Sequence, residues 1–150
     1  MVDLNVGALT ELCRAVAPDM VKRRSGAILN LASTAAFQPG PRMAVYFATK
    51  AYVLSLTEAL HEELKPHGIS VSALCPGPTK TEFGAVAGFS GSSAFNRMSA
   101  SSSHVARIGL HGLARNKAVV IPGLINKAGA QGHRVLPRSW LRKITGMVKN

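Results

Sequence analysis

The sequence predicts an α/β fold with about three parallel strands and flanking helices. Three short aliphatic runs carry that expectation: 26–32 (GAILNLA), 69–74 (ISVSAL) and 117–122 (KAVVIP). The first is short, rich in aliphatic residues and opens on Gly, which suits a strand buried on both faces, as in a parallel sheet. Between them lie segments whose apolar residues recur at helical spacing. Strands alternating with helices along a chain point to a parallel sheet.

In chain order, 1–22 is the first helical segment, with Leu4, Ala8, Leu12, Ala15 and Val16 at helical spacing. Lys22, Arg23 and Arg24 crowd its C-terminus, where cations complement the helix dipole. Ser25 and Gly26 turn the chain into the first strand. Gln38, Pro39, Gly40 and Pro41 form a loop. From Met43 the pattern is helical, and Val45, Ala48, Val53, Leu56, Leu60 and Leu64 can line one apolar face. Pro66 and Gly68 stop that helix. The second strand, 69–74, is broken by Pro76-Gly77-Pro78.

Residues 83–103 are rich in Gly, Ser and Ala, as a mobile loop or a slack linker would be. Ser103 is a candidate cap for a helix over 104–115. The third strand follows at 117–122, and a short helical segment opens at 123–126. Residues 137–150, PRSWLRKITGMVKN, form a basic amphipathic helix with Trp140, Leu141, Ile144 and Val148 on one face. It suits peripheral contact with an anionic membrane surface. The simpler reading is a helix docked through Trp140 with its charges in water.

The 150 residues suffice for one domain, and 47% are apolar, enough to build a core. No run approaches about 18 apolar residues, so no transmembrane helix is expected. The N-terminus carries Asp3 and no basic stretch, unlike a signal peptide. Cys13 and Cys75 are widely separated in apolar contexts and read as buried thiols of a reducing cytoplasm. No metal is expected. The net charge of +11 is uneven. Residues 1–82 hold eight Lys/Arg and seven Asp/Glu; residues 83–150 hold ten Lys/Arg and no acid. A nucleic-acid partner is not expected, because no stacking pattern or binding motif accompanies the charge.

The chemistry concentrates between Leu29 and Lys50. Ser33 stands where the first strand ends, and ligands of open α/β sheets sit beyond strand carboxyl ends. Tyr46 follows thirteen residues later, and Lys50 lies one helical turn beyond it. A phenol ionises near pH 10, and a neighbouring ammonium would lower that value. Such a pair can exchange a proton with a carbonyl or alcohol oxygen. The pair also fits a half-buried tyrosine beside a solvated lysine.

The blocks NLAS ending at Ser33, YFATKAYVLSLTEALHEEL from Tyr46 and ISVSALCPGPTKTEF from Ile69 resemble the short-chain dehydrogenase/reductase family in order and spacing. The resemblance implies the C-terminal part of a doubly wound Rossmann-like sheet. It implies a partial domain over 1–150: a catalytic core at 1–82, a substrate loop and helix at 83–116, and a last strand with a basic tail at 117–150. It implies NAD(P)(H) as cofactor and a small carbonyl or alcohol substrate. By resemblance, Tyr46 is the acid/base and also contacts the cofactor, Ser33 orients the carbonyl, and Lys50 lowers the Tyr46 pKa and binds the nicotinamide ribose. Asn5 holds a water in the proton relay, or is only a surface residue near a helix end. Pro76, Gly77, Thr79 and Thr81 match the segment that holds the nicotinamide carboxamide. The family's Gly-rich phosphate turn and NNAG segment have no counterpart here, so a truncated form with weak cofactor binding and an open edge at the Ser33 strand is expected. Homo-oligomerisation through the helices bearing Asn5 and Tyr46 is implied as well.

Overall fold

A computed structural model describes residues 1–82, 99–132 and 134–147. The bulk of the expected substrate loop, 83–98, lies outside the described residues. A π-helical turn, Asp3–Ala8, runs into helix α1, Leu9–Arg23. The sequence predicts a plain helix here; the wider turn goes with a tether, since the Asn5 side chain is bonded to the second helix. Arg24 ends α1 in the left-handed region at φ 51°, where its amide bonds the Val21 carbonyl.

Strand β1 is Gly26–Leu31, followed by a 3-10 turn at Thr34–Phe37 and helix α2 at Ala44–Leu64. Gly68, at φ 78°, supplies the left-handed turn into strand β2, Ile69–Leu74. A small parallel pair that the sequence did not suggest joins β3, Thr79–Lys80, to β4, Ala100–Ser101. Helix α3, Ser102–Ala114, comes next, then strand β5, Val119–Val120. Its cap is Ser101, whose hydroxyl accepts from the His104 amide; Ser103, the expected cap, already lies within the helix. Helix α4, Leu124–Gly132, is longer than expected, and α5 spans Arg138–Met147. No helix among the described residues is long and apolar enough to cross a membrane.

The sheet order is β1-β2-β5, all parallel. β1 and β2 pair along their whole length, from Gly26 with Ile69 to Leu31 with Leu74. β5 pairs only at Val119 and Val120, shorter than its apolar run suggests. Helices α1 and α2 cover one face of the sheet, where Cys13 and Leu64 meet Ile28, Ile69 and Val71. Helix α3 covers the other, where Val105 meets Leu74 and Val120. Gly112 permits that contact, because a Cβ there would run into Val120. Both cysteines are buried and outside any disulfide, as expected.

The buried face of α2 differs from the expected stripe. Val45 and Ala48 are exposed, while Thr49, Val53, Leu54, Thr57, His61 and Leu64 are buried. Polar residues belong there because each has a partner. The Thr57 hydroxyl donates to the Val53 carbonyl at 2.6 Å and accepts from Asn30 Nδ2 at 3.0 Å. His61 Nδ1 lies 2.7 Å from the Val71 carbonyl, to which it donates. Asn30 also reaches Cys13 Sγ, so one buried amide ties β1 to both helices.

The C-terminal helix corrects a second expectation. Leu141 is the buried anchor of α5, and Trp140 remains 60% exposed.

Asn30→Ala removes the partner of Thr57 without freeing much volume. It should destabilise the chain by about 1–3 kcal/mol, the cost of a buried polar group left unsatisfied. Urea denaturation checks this, and an unchanged midpoint would contradict the bracing role.

Candidate active site

The carboxyl ends of β1 and β2 are clamped together. The Ala32 amide donates to the Leu74 carbonyl at 2.8 Å, and the Thr34 amide to the Pro76 carbonyl at 2.9 Å. Ser33 lies between these two bonds, 9% exposed. Its Oγ accepts from the Ala35 amide at 3.1 Å, which opens the 3-10 turn. The chain then passes the Gln38–Pro41 loop and enters α2. There Gly40 lies flat under the Phe47 ring, where any Cβ would collide.

This path brings Tyr46 back over Ser33, and the two side chains are hydrogen-bonded. Lys50 follows one turn along, its Nζ 5.9 Å from the Tyr46 ring centroid. The Lys50 ammonium donates to the Leu31 carbonyl at 2.7 Å. Because the Ala32 amide points to β2, the Leu31 carbonyl of the same trans peptide points away from it. Lys50 therefore caps a carbonyl on the sheet edge that no described strand covers.

Asn5 reaches this helix by another route. Its Nδ2 donates to Thr49 Oγ1 at 3.2 Å, and Thr49 donates to the Tyr46 carbonyl at 2.9 Å. Asn5 thus supports the turn that carries Tyr46 and Lys50. Pro76 and Gly77 lie beside Ser33 at the end of β2. Thr79 Oγ1 bonds the Gly77 carbonyl at 3.0 Å, and Thr81 is exposed at the rim. Asn126 of α4, which nothing in the sequence singled out, packs against Gly77 and donates to the Pro122 carbonyl at 2.7 Å.

The electrostatics depart from expectation. Burial holds the Tyr46 phenol above its ordinary value, and the Ser33 hydrogen bond pulls it part of the way back. The expected lowering by Lys50 is absent. Burial also lowers Lys50, with Cys75 opposing. Desolvation penalises the charged form of both groups and is the largest cause of both shifts. Cys75 was also missed as a neighbour of the site. Its thiol is pushed up to about 12, first by burial, with Glu58 adding to it and with Ser33 and Lys50 opposing. It is a neutral packing group and no nucleophile.

Residues 1–89 match the family model described as short chain dehydrogenase. The chain is 42% identical over 81 residues to "Dehydrogenase/reductase SDR family member 4" of Homo sapiens, covering 54% of this chain and 29% of that protein. It is 41% identical over 76 residues to the "Very-long-chain 3-oxoacyl-CoA reductase" of Rattus norvegicus, covering 51% and 24%. Among solved structures, a short-chain dehydrogenase from Sphingobium yanoikuyae in complex with NADPH superposes with a TM-score of 0.75 at 37% identity. That match covers 89% of this chain and 53% of the other. A short-chain dehydrogenase from Burkholderia cenocepacia in complex with NADP gives a TM-score of 0.76 at 28% identity, covering 92% and 56%. This chain therefore spans under a third of these curated relatives and about half of these solved ones.

The chain has two tyrosines, so Tyr52→Phe leaves Tyr46 as its only phenol. Its ionisation, followed by ultraviolet absorbance, should show a midpoint above the ordinary value of about 10. Ser33→Ala should raise it further. The folded value lies above the unfolded one, so folding stability should fall as pH rises past about 10. A midpoint at or below the ordinary value would mean that Lys50, not burial, dominates.

Proposed function

Because this chain belongs to the short-chain dehydrogenase family, we propose that it carries the proton-transfer site of an NAD(P)-dependent oxidoreductase interconverting a carbonyl and an alcohol. The observation that carries this reading is the meeting of Ser33, Tyr46 and Lys50 at the carboxyl ends of two parallel strands. That is where open α/β sheets hold ligands.

In reduction, the Tyr46 hydroxyl gives its proton to the carbonyl oxygen as that oxygen gains charge. In the reverse direction it takes the proton from the alcohol. Ser33 holds the same oxygen with a second hydrogen bond, so the substrate sits over the Ser33–Tyr46 pair. The high phenol pKa suits the donor state. Lys50 favours the phenolate once the proton has left, an effect that grows as water is excluded. Asn5, through Thr49, keeps the Tyr46 turn in register and stands where a relay water could be held.

The donor set fits a nicotinamide ribose. Lys50 has three N–H bonds. One is on the Leu31 carbonyl, and the others can serve ribose hydroxyls. The backbone from Pro76 to Thr79, with Thr79 and Thr81, suits the carboxamide. Bound there, the nicotinamide would supply or accept the hydride. NADPH and NADP in the two solved relatives support a nucleotide of this class.

A homo-oligomer accompanies this reading. Leu4 and Leu12 on the N-terminal helical segment are 71% and 66% exposed, and Val45 on α2 is 54% exposed. Thr10 and Tyr52 bond across the two helices at 2.7 Å, which makes them one surface. A chain that kept only this surface would be a dimerisation module without catalysis.

Calorimetric titration with NADH and NADPH separates the two. The enzyme reading expects saturable binding, weakened roughly 10-fold or more in Lys50→Ala through loss of charge-assisted hydrogen bonds. Tyr46→Phe, which loses one neutral hydrogen bond, should weaken binding less than Lys50→Ala and lower turnover by about 10²–10⁴-fold. A folded chain that binds neither nucleotide would leave the dimerisation module.

A further inference from the structure

Helix α5 is docked along one side and bare on the next. Leu141 is 8% exposed. The Thr145 hydroxyl lies 2.9 Å from the Pro39 carbonyl, to which it can donate. The Thr145 bond ties the helix to the loop before α2. Trp140 and Ile144, four residues apart and so adjacent on the helix surface, are 60% and 50% exposed. A helix face turned only to water would carry polar side chains there. Arg138, Arg142 and Lys143 are all exposed on the same short helix. From residue 83 onward the chain holds ten Lys/Arg and no acid, so this half has no carboxylate to pair with them.

We propose that α5 is a docking surface for an anionic lipid bilayer. Trp140 and Ile144 enter the boundary between headgroups and acyl chains, where an amphipathic helix buries its apolar face. Tryptophan's apolar body and polar N–H suit that depth. Lys143, on the flank of that face, meets the lipid phosphates, while Arg138 and Arg142 lie on the far side of the helix beside the Gln38–Pro41 loop and add only to the attraction at longer range. Duplex or single-stranded nucleic acid would match the charge but leave Ile144 without a partner. A second copy docked through α5 would bring Arg138, Arg142 and Lys143 near the same three cations, and repulsion disfavours that contact. The surface shares no residue with Ser33, Tyr46 or Lys50, so it stands or falls apart from the oxidoreductase reading.

Trp140 is the chain's only tryptophan and reports on its own burial. The test titrates the full chain with phosphatidylcholine vesicles with and without phosphatidylglycerol, reading Trp140 emission and pelleting. A blue shift and pelleting with the phosphatidylglycerol vesicles, weakened by salt, are expected. Lys143→Gln should lower partitioning roughly five-fold, the effect of one basic residue near a charged surface. Ile144→Ser should reduce the blue shift while leaving the salt dependence. No pelleting, or equal binding to pure phosphatidylcholine, overturns the proposal. So does a concentration-dependent blue shift without vesicles, which would mean that a second copy covers Trp140. Tighter binding to DNA than to the phosphatidylglycerol vesicles overturns it in favour of nucleic acid.

Discussion

The clamp between the carboxyl ends of β1 and β2 is the constraint on which the rest depends. Two backbone bonds, Ala32 to Leu74 and Thr34 to Pro76, hold Ser33 beside the start of the Pro76-Gly77 turn. Without them the 3-10 turn has no fixed origin, and α2 would enter at another angle. Tyr46 and Lys50 then could not both reach β1. Parallel pairing makes the clamp possible, because it sets the carboxyl ends of neighbouring strands side by side. The chemistry follows from strand direction before any side chain is considered.

Polar groups buried against α2 stiffen this arrangement. Asn30 and Thr57 join strand to helix, His61 adds a bond to β2, and Thr49 links Asn5 to the Tyr46 turn. Apolar side chains would fill the same space, but they would not set the rotation of α2 about its own axis so narrowly. A small rotation of that helix moves the Tyr46 hydroxyl away from Ser33. The polar stripe is thus the means by which a packed core becomes a positioned site.

Much of this was legible in the residues. The helix period puts Lys50 one turn from Tyr46, and the strand end places Ser33 where ligands bind; that the three belong to one site was implied by the family resemblance. Chain order likewise predicted the strand sequence and the parallel sheet. Other features needed the folded chain. Val45 and Ala48 fit an apolar periodicity, yet Thr49, Thr57 and His61 are inside, because hydrogen-bond partners arrive from β1 and β2. Trp140 was the natural anchor by size, but Leu141 is the residue that is buried and Thr145 the one bonded to Pro39. The sign of the Tyr46 shift was unreadable too, since proximity to Lys50 is local while burial is a property of the whole core.

The edge of β1 joins architecture to function. Leu31 is 56% exposed there, and a groove of about 320 Å³ runs between this strand and α1, lined by Leu4, Leu12, Val16 and Leu29. Lys50 caps the Leu31 carbonyl at that edge while standing beside Tyr46, so one ammonium serves both the sheet and the site. The most direct test is a crystal structure of this chain grown with NADP. The account predicts ribose hydroxyls within hydrogen-bond distance of Lys50 Nζ and the Tyr46 hydroxyl, with the nicotinamide facing Ser33. A nucleotide bound elsewhere, with no contact to Lys50 or Tyr46, would contradict it.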